Sequence, residues 1–138
     1  MSFLRKLAGY VPKLEVSEAI DAPPTVIWDI LTDTHRWPRW GPTVRAVRCT
    51  HRRIRLGSEG AVQTPVGLWV PFVVTEYEHE SRWSWEVASV PATGHRMLRI
   101  GPGRCRVVFE VPLPAAPYLF VCRIALQRIA EMVSLHHA

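Results

Sequence analysis

The chain has 138 residues, of which 48% are hydrophobic and 21% charged, so its size and composition indicate one globular domain and exclude a disordered or fibrous protein. Its formal net charge is +5, but the arginines are spread over the whole chain and no nucleic-acid-binding motif accompanies them, so we expect no nucleic-acid partner. The three cysteines, Cys49, Cys105 and Cys122, are too few and too widely spaced for a disulfide framework or a zinc site. They predict reduced thiols in a cytoplasmic protein. We also expect no metal and no other cofactor.

Residues 1–11 are predicted to form an N-terminal arm, helical or irregular, in front of a single domain over residues 12–138. Packing of Phe3, Leu4 and Leu7 on that domain is favoured over contact with a membrane or a partner. No stretch has the run of apolar residues that is needed to cross a bilayer, so membrane contact is expected to be at most transient.

The first predicted element is a β-strand over residues 13–21. Leu14 and Val16 alternate there with polar residues, which is typical of a strand with one side in water. Pro23 and Pro24 then open a predicted helix, because the first turn of a helix does not need their missing N–H groups. Apolar residues follow at helical spacing: Val26, Ile27, Ile30 and Leu31.

A short second helix or turn is predicted over residues 35–42, where Gly41 and Pro42 end it. Three of the six tryptophans of the chain lie in these first two helices: Trp28, Trp37 and Trp40. We interpret these three rings as bracing the helices against the rim of a sheet.

Residues 44–113 read as about six β-strands joined by short turns. The predicted strands cover 44–56, two segments within 61–79 that meet near Pro65 and Gly67, and then 82–90, 95–100 and 104–113. Turns are predicted at 57–60, 91–94 and 101–103. Because such short turns join antiparallel neighbours, we expect one antiparallel sheet.

The longest helical pattern begins at Tyr118, after the prolines of residues 112–117. Apolar residues recur at threes and fours along it: Val121, Cys122, Ala125, Ile129, Met132 and Val133. The predicted fold is therefore α+β, a curved antiparallel sheet of six or seven strands around a long C-terminal helix, with two short helices after the first strand. One helix cannot fill the concave side of a sheet of that size, so the remaining space is either packed with large side chains or open as a cavity.

Residues 20–42 also match the sequence motif of a known protein family. The matching positions are Ile20, Ala22, Pro23, Ile27, Trp28, Leu31, Asp33, Trp37, Pro38, Trp40 and Pro42. There, and over 73–87, 94–100 and 106–111, the chain resembles the START, polyketide cyclase/dehydrase and lipid-transport superfamily (SRPBCC). The resemblance implies the helix-grip fold that this superfamily shares with birch-pollen-type allergens. Its members bind or transport lipids, cyclise polyketides, bind hormones or chaperone quinones, so the resemblance does not fix one activity.

Strand period two places Trp83 and Trp85 on one face, opposite Arg82, Ser84 and Glu86. We expect that face to be the concave floor of a cavity for a small hydrophobic ligand, such as a lipid, a quinone or a polyketide-like molecule. The predicted ligand-binding residues of the floor are Trp83, Trp85, Val87, His95 and Met97, together with Phe72 and Val74, which the resemblance places on the same face. Those of the helical lid are Cys122, Ala125 and Ile129. Packing of the same side chains in a solid core is the alternative.

The main functional hypothesis is a non-catalytic carrier or sensor, monomeric or homodimeric, in which His95 and nearby arginines orient a polar head of the ligand. The alternative is an enzyme of the polyketide cyclase/dehydrase type, in which His95 or Glu76 moves protons. His95 could instead be an ordinary histidine at the end of a hairpin. A third hypothesis is a protein-interaction module that uses the N-terminal arm or the basic segment 51–56.

Overall fold

The computed structural model describes residues 12–137, with side chains up to residue 135, so the predicted arm over 1–11 lies outside the described residues. The elements in chain order are β1 (Lys13–Ile20), α1 (Pro24–Thr32), α2 (Trp37–Trp40), β2 (Ala46–Cys49), β3 (Glu59–Gln63), β4 (Trp69–Glu78), β5 (Arg82–Val87), β6 (Val90–Gly101), β7 (Arg104–Pro112), a 3₁₀ segment (Leu113–Tyr118) and α3 (Leu119–His137). The predicted order of one strand, two short helices, six strands and one long helix is confirmed.

The strands form one seven-stranded antiparallel sheet in the order β1-β7-β6-β5-β4-β3-β2. The first strand thus pairs with the last one, and α3, which follows β7, returns across the sheet to pack on β1, β7 and α2. This is the predicted α+β helix-grip architecture. Of the helices that the structure describes, none combines the length and the apolar composition of a membrane span.

Asp33 ties the end of α1 to the long connection between β2 and β3. Its side chain is fully buried and accepts hydrogen bonds from Arg52 Nε and Nη2, each at 3.1 Å, and from the backbone N–H of His35 at 3.0 Å. Burial alone would raise the pKa of Asp33, but the bonds from Arg52 and His35 and the positive charges of Arg52 and Arg53 hold this pKa below its usual value. The carboxylate therefore remains ionised inside the fold.

The predicted strand over 44–56 is wrong for most of its length. Only Ala46–Cys49 forms a strand there, and beyond it a single isolated bridge pairs Asp33 with Arg53. Arg53 Nε also lies 2.8 Å from Asp29 Oδ1. Alternating residues predict a longer strand, but Arg52 and Arg53 of this segment instead pair with Asp33, which follows α1, and Asp29, which lies on it.

The hairpin between β5 and β6 turns at Ala88 and Ser89, so the predicted turn over 91–94 is wrong. These two residues have φ of 52° and 64°, and β6 already begins at Val90. Gly94 suggested a turn, but it lies within β6, where an added Cβ would stand only 3.0 Å from Glu110 Oε1. This glycine thus provides room for a neighbouring strand and does not reverse the chain.

Candidate functional site

The sheet register places the predicted floor residues on one face. Phe72 pairs with Val87 and Val74 with Trp85 across β4 and β5, and Trp83 pairs with His95 across β5 and β6. Directly paired residues point to the same side of a sheet. The two tryptophans of β5 therefore share the concave side with the neighbouring apolar residues, as the period-two pattern predicted.

Two adjacent spaces lie on this concave side, and we call them the inner chamber and the outer chamber. The inner chamber has a volume of about 40 Å³ and lies among aromatic rings beneath the start of α3. The outer chamber has a volume of about 290 Å³. Both are bordered by the same five residues: Thr43, Val44, Trp85, Thr93 and Tyr118.

The outer chamber exists because α3 covers only part of the sheet. The helix packs on β1, β7 and α2, and none of the residues that line the outer chamber belongs to α1, α2 or α3. Four valines from four strands form much of the resulting surface: Val62, Val70, Val87 and Val111. The residues of the β5–β6 hairpin, including the exposed Val90, complete its rim.

Stacked aromatic rings form the wall of the inner chamber. The ring of Trp83 is stacked on that of His95 at a centroid distance of 3.8 Å and on that of Trp37 at 5.3 Å. Phe109 meets His95 edge-on at 4.9 Å, and Trp40 approaches Phe109 at 5.7 Å. Such offset and edge-to-face pairs stabilise one another beyond their buried area, so we expect this wall to be rigid.

Both ring nitrogens of His95 are bonded within the wall. Its Nδ1 lies 3.3 Å from the Trp83 carbonyl oxygen, which can only accept, so Nδ1 carries the proton. Nε2 therefore accepts from the Thr93 hydroxyl at 3.1 Å, and Thr93 in turn accepts from Trp85 Nε1 at 3.0 Å. Burial lowers the pKa of His95 to about 3, outweighing the bond to Trp83 that raises it. The imidazole is thus neutral at physiological pH.

Tyr118 and Thr43 border both chambers. Their hydroxyl oxygens lie 2.6 Å apart and join the 3₁₀ segment to the loop after α2. Burial raises the pKa of the Tyr118 phenol, which therefore keeps its proton at neutral pH. Burial also raises the pKa of the Cys122 thiol to about 11, so this cysteine acts as a small apolar group and not as a thiolate nucleophile.

Six of the predicted ligand-binding residues line a chamber, and four do not. Those at a chamber surface are Trp83, Trp85, Val87, His95, Cys122 and Ala125. Phe72, Val74, Met97 and Ile129 lie on the expected sides of their elements but are buried in the solid core. Phe72, for example, is covered by the ring of Trp37 at a centroid distance of 5.6 Å.

Glu76, the second candidate for proton transfer, lies outside both chambers. Its side chain is 56% exposed, and its Oε2 is 3.7 Å from Arg82 Nη2. Arg82 also approaches Glu110, which pairs with Gly94 and so lies opposite the concave face. Among the residues that the structure describes, neither chamber has a charged side chain in its lining, so the arginines expected near a polar head are not at this site.

Several chamber residues were not predicted from the sequence. Trp37 and Trp40 brace the scaffold, as expected, because their Nε1 atoms donate to the carbonyl oxygens of Leu31 and Ile30, but their rings also border the inner chamber. Thr93 could have been found by its spacing of two from His95, which places both on the same side of a strand. No local signal marks Thr43 or Tyr118, because the fold alone brings them together.

A third space of about 210 Å³ lies at the opposite end of the sheet, beside α1. Two pairs of its polar groups are bonded to each other: Arg53 to Asp29 at 2.8 Å, and Trp28 Nε1 to the Tyr77 hydroxyl at 3.2 Å. Nowhere in the described part of the chain do three or more His, Cys, Asp or Glu side chains gather as metal ligands would.

The chain is similar to known proteins in its fold. A sequence profile of the family described as polyketide cyclase/dehydrase and lipid transport matches residues 11–131. No curated protein sequence matches the chain significantly. Among solved structures, it is similar to protein NE0264 from Nitrosomonas europaea, with 18% identity and a TM-score of 0.64, covering 91% of this chain and 96% of that one.

Two further structures share the architecture. XoxI from Bacillus cereus is 13% identical with a TM-score of 0.70, covering 91% of this chain and 99% of its own. DynU16, a protein of the dynemicin biosynthetic locus, is 17% identical with a TM-score of 0.61, covering 88% of this chain and 47% of its own. Since the profile spans nearly the whole chain and the helix-grip fold agrees with it, the protein belongs to the polyketide cyclase/dehydrase and lipid transport family.

Proposed function

We propose that the protein binds a small apolar molecule in the outer chamber, with one end of that molecule reaching into the inner chamber. The carrying observation is the outer chamber itself, about 290 Å³ of space walled by valines and tryptophan. That volume is at the lower end of the usual range for ligand pockets, about 300–1,000 Å³, and therefore suits a small ligand. The family description, which includes lipid transport, agrees with this function.

Removal of apolar surface from water would provide the binding free energy. Each 100 Å² of apolar ligand surface that is buried contributes about 2.5 kcal/mol, before the costs of ordering ligand and protein are subtracted. The stacked wall of Trp37, Trp83 and His95 reduces the cost on the protein side, because its rings are already held in place.

The same site supports binding better than the alternative of cyclase/dehydrase-type catalysis. A general base must present a free lone pair near its working pH. His95 has both nitrogens engaged and a pKa of about 3, and Glu76 points away from the chambers. The interaction-module hypothesis loses support in the form that uses the basic segment, since Arg52 and Arg53 are bonded to aspartates of the same chain, and stays a prediction in the form that uses the N-terminal arm.

Titration with the uncharged solvatochromic dye Nile red, followed by fluorescence, tests the proposal. We expect saturable binding at one site and at least about tenfold weaker binding to Val87→Phe, whose larger side chain would occupy part of the outer chamber. Val73→Phe is the matched control, because Val73 points to the other face of the neighbouring strand, and its affinity should equal that of the wild type. Absence of saturable binding, or equal affinity of both variants, would contradict the proposal.

Other expectations about partners and location are not tested by the structure. A cytoplasmic location, at most transient membrane contact, the absence of a nucleic-acid partner and a monomeric or homodimeric state stay predictions. The absence of a cofactor also stays a prediction.

A further inference from the structure

Trp83 carries a buried hydrogen-bond donor that the described part of the chain does not use. Its side chain is 1% exposed, and no oxygen or nitrogen of the described residues accepts from its Nε1–H. The other three indoles around the chambers each donate at 3.0 Å: Trp37 to Leu31 O, Trp40 to Ile30 O and Trp85 to Thr93 Oγ1. Because an unpaired buried donor destabilises a protein, the exception at Trp83 requires an explanation.

The surroundings of this donor disfavour an ionic ligand. Of the described residues, those that line the two chambers have only hydroxyl, thiol, indole and imidazole groups as their polar side chains. His95 is neutral and internally bonded, and Cys122 stays a thiol. A carboxylate, phosphate or ammonium group would lose its hydration here without gaining an opposite charge.

We propose that Trp83 Nε1–H donates a hydrogen bond to the carbonyl oxygen of an uncharged ligand of the ketone or ester type. This inference rests on the proposed function and narrows it to one chemical class. An indole N–H is a donor only, and a carbonyl oxygen accepts without bringing a hydrogen that needs its own acceptor. The inner chamber, at about 40 Å³, has room for a group of water or carbonyl size, while the outer chamber receives the apolar remainder.

Three naphthalene derivatives of nearly the same shape separate the possibilities in calorimetric titrations: 2-acetylnaphthalene, 2-isopropenylnaphthalene and 2-naphthoate. The first has a carbonyl oxygen where the second has a methylene group, and the third is an anion. We expect the ketone to bind about three- to tenfold more tightly than the hydrocarbon, as one net hydrogen bond allows. The carboxylate should bind at least about 100-fold more weakly than the ketone.

Substitution Trp83→Phe removes the donor and retains an aromatic ring. It should bring the affinity for the ketone down to that for the hydrocarbon. Trp28→Phe is the control: its indole donates to the Tyr77 hydroxyl and lines neither chamber, so the ratio of the two affinities should be unchanged. If Trp83→Phe does not fold, the wild-type protein suffices: the Nε1–H proton resonance of Trp83 should move downfield with the ketone and not with the hydrocarbon.

The outcomes separate this inference from the proposed function. Equal binding of the ketone and the hydrocarbon, a ratio that survives Trp83→Phe, an unmoved Trp83 resonance, or strongest binding of the carboxylate would overturn the inference alone. Failure of all three compounds to bind would contradict both the inference and the proposed function.

Discussion

At the scale of single residues, His95 illustrates how burial changes the chemistry that a sequence suggests. A histidine with a pKa near 6.5 is a plausible acid or base at neutral pH, and that value motivated its selection. In the fold its ring packs between Trp83 and Phe109 and bonds to Thr93, so it holds these side chains in the wall of the inner chamber. Its neutral, Nδ1-protonated form is the one that fits the hydrogen bonds to Trp83 and Thr93.

The lowered pKa of His95 predicts a specific sensitivity to acid. A proton binds the unfolded chain below about pH 6.5 but binds the folded protein only near pH 3, so this group stabilises the fold fully above 6.5 and progressively less as the pH falls toward 3. Between pH 7 and about 4.5, the free energy of unfolding should decrease by about 2–3 kcal/mol more in the wild type than in His95→Gln.

Urea unfolding of both proteins at the two pH values measures this difference. Other titrating groups contribute equally to both proteins and cancel. His79→Gln, which removes an exposed histidine, provides the matched control and should show the pH dependence of the wild type. An equal loss of stability in the wild type and in His95→Gln would show that burial does not hold this imidazole neutral.

At the scale of elements, the connection between β5 and β6 shapes the rim of the outer chamber. The turn at Ala88 and Ser89 lets β6 start at Val90, and the register shift between Ser84 and Glu86 lets Trp85 reach Thr93. Neither Ala88 nor Ser89 is a residue type that favours positive φ, so this hairpin folds against local preference.

Replacing Ser89 by glycine should therefore stabilise the protein. Glycine adopts a φ of 64° without steric cost, and we expect a gain of about 0.5–1 kcal/mol in the free energy of unfolding. Ser81→Gly is the matched control, because Ser81 ends the turn before β5 without a positive φ, and there the same change should destabilise the protein slightly. Thermal unfolding of both variants gives the answer, and a destabilised Ser89→Gly would argue against the turn described here.

At the scale of the whole molecule, the charged side chains and the two chambers lie in different places. The chain has a formal net charge of +5, yet the charged side chains of the described residues lie outside both chambers. Arg45, for example, is exposed although it follows Val44, which borders both chambers. A molecule that approaches the protein therefore meets positive charge on its surface, whereas the proposed binding site is lined by uncharged groups.

Affinity for an uncharged ligand should consequently depend little on salt. Between about 50 and 500 mM NaCl, the dissociation constant of Nile red should change by less than about twofold, because screening acts on charged pairs. Arg45→Gln should bind the dye as the wild type does. A steep decrease of affinity with salt would mean that charged groups, including those of residues 1–11, contact the ligand.

The sequence alone determined the order of the elements, the antiparallel sheet and the side of β5 that faces inward, whereas it left the inward side of β4 and β6 open by one residue. These properties follow from local patterns, such as the alternation around Trp83 and Trp85 and the spacing of Cys122, Ala125 and Ile129, which hold whatever the rest of the chain does. The turn at Ala88 and Ser89 carried no such pattern and was missed.

Only the tertiary structure decided which inward-facing residues border a cavity. Phe72 and Trp85 have the same orientation and both meet the ring of Trp37, at centroid distances of 5.6 and 5.4 Å, but Phe72 is buried in the core whereas Trp85 borders both chambers. Thr43 and Tyr118 are 75 positions apart and share a hydrogen bond that no local pattern encodes. Periodicity fixes the direction of a side chain, whereas the space in front of it depends on where distant elements pack.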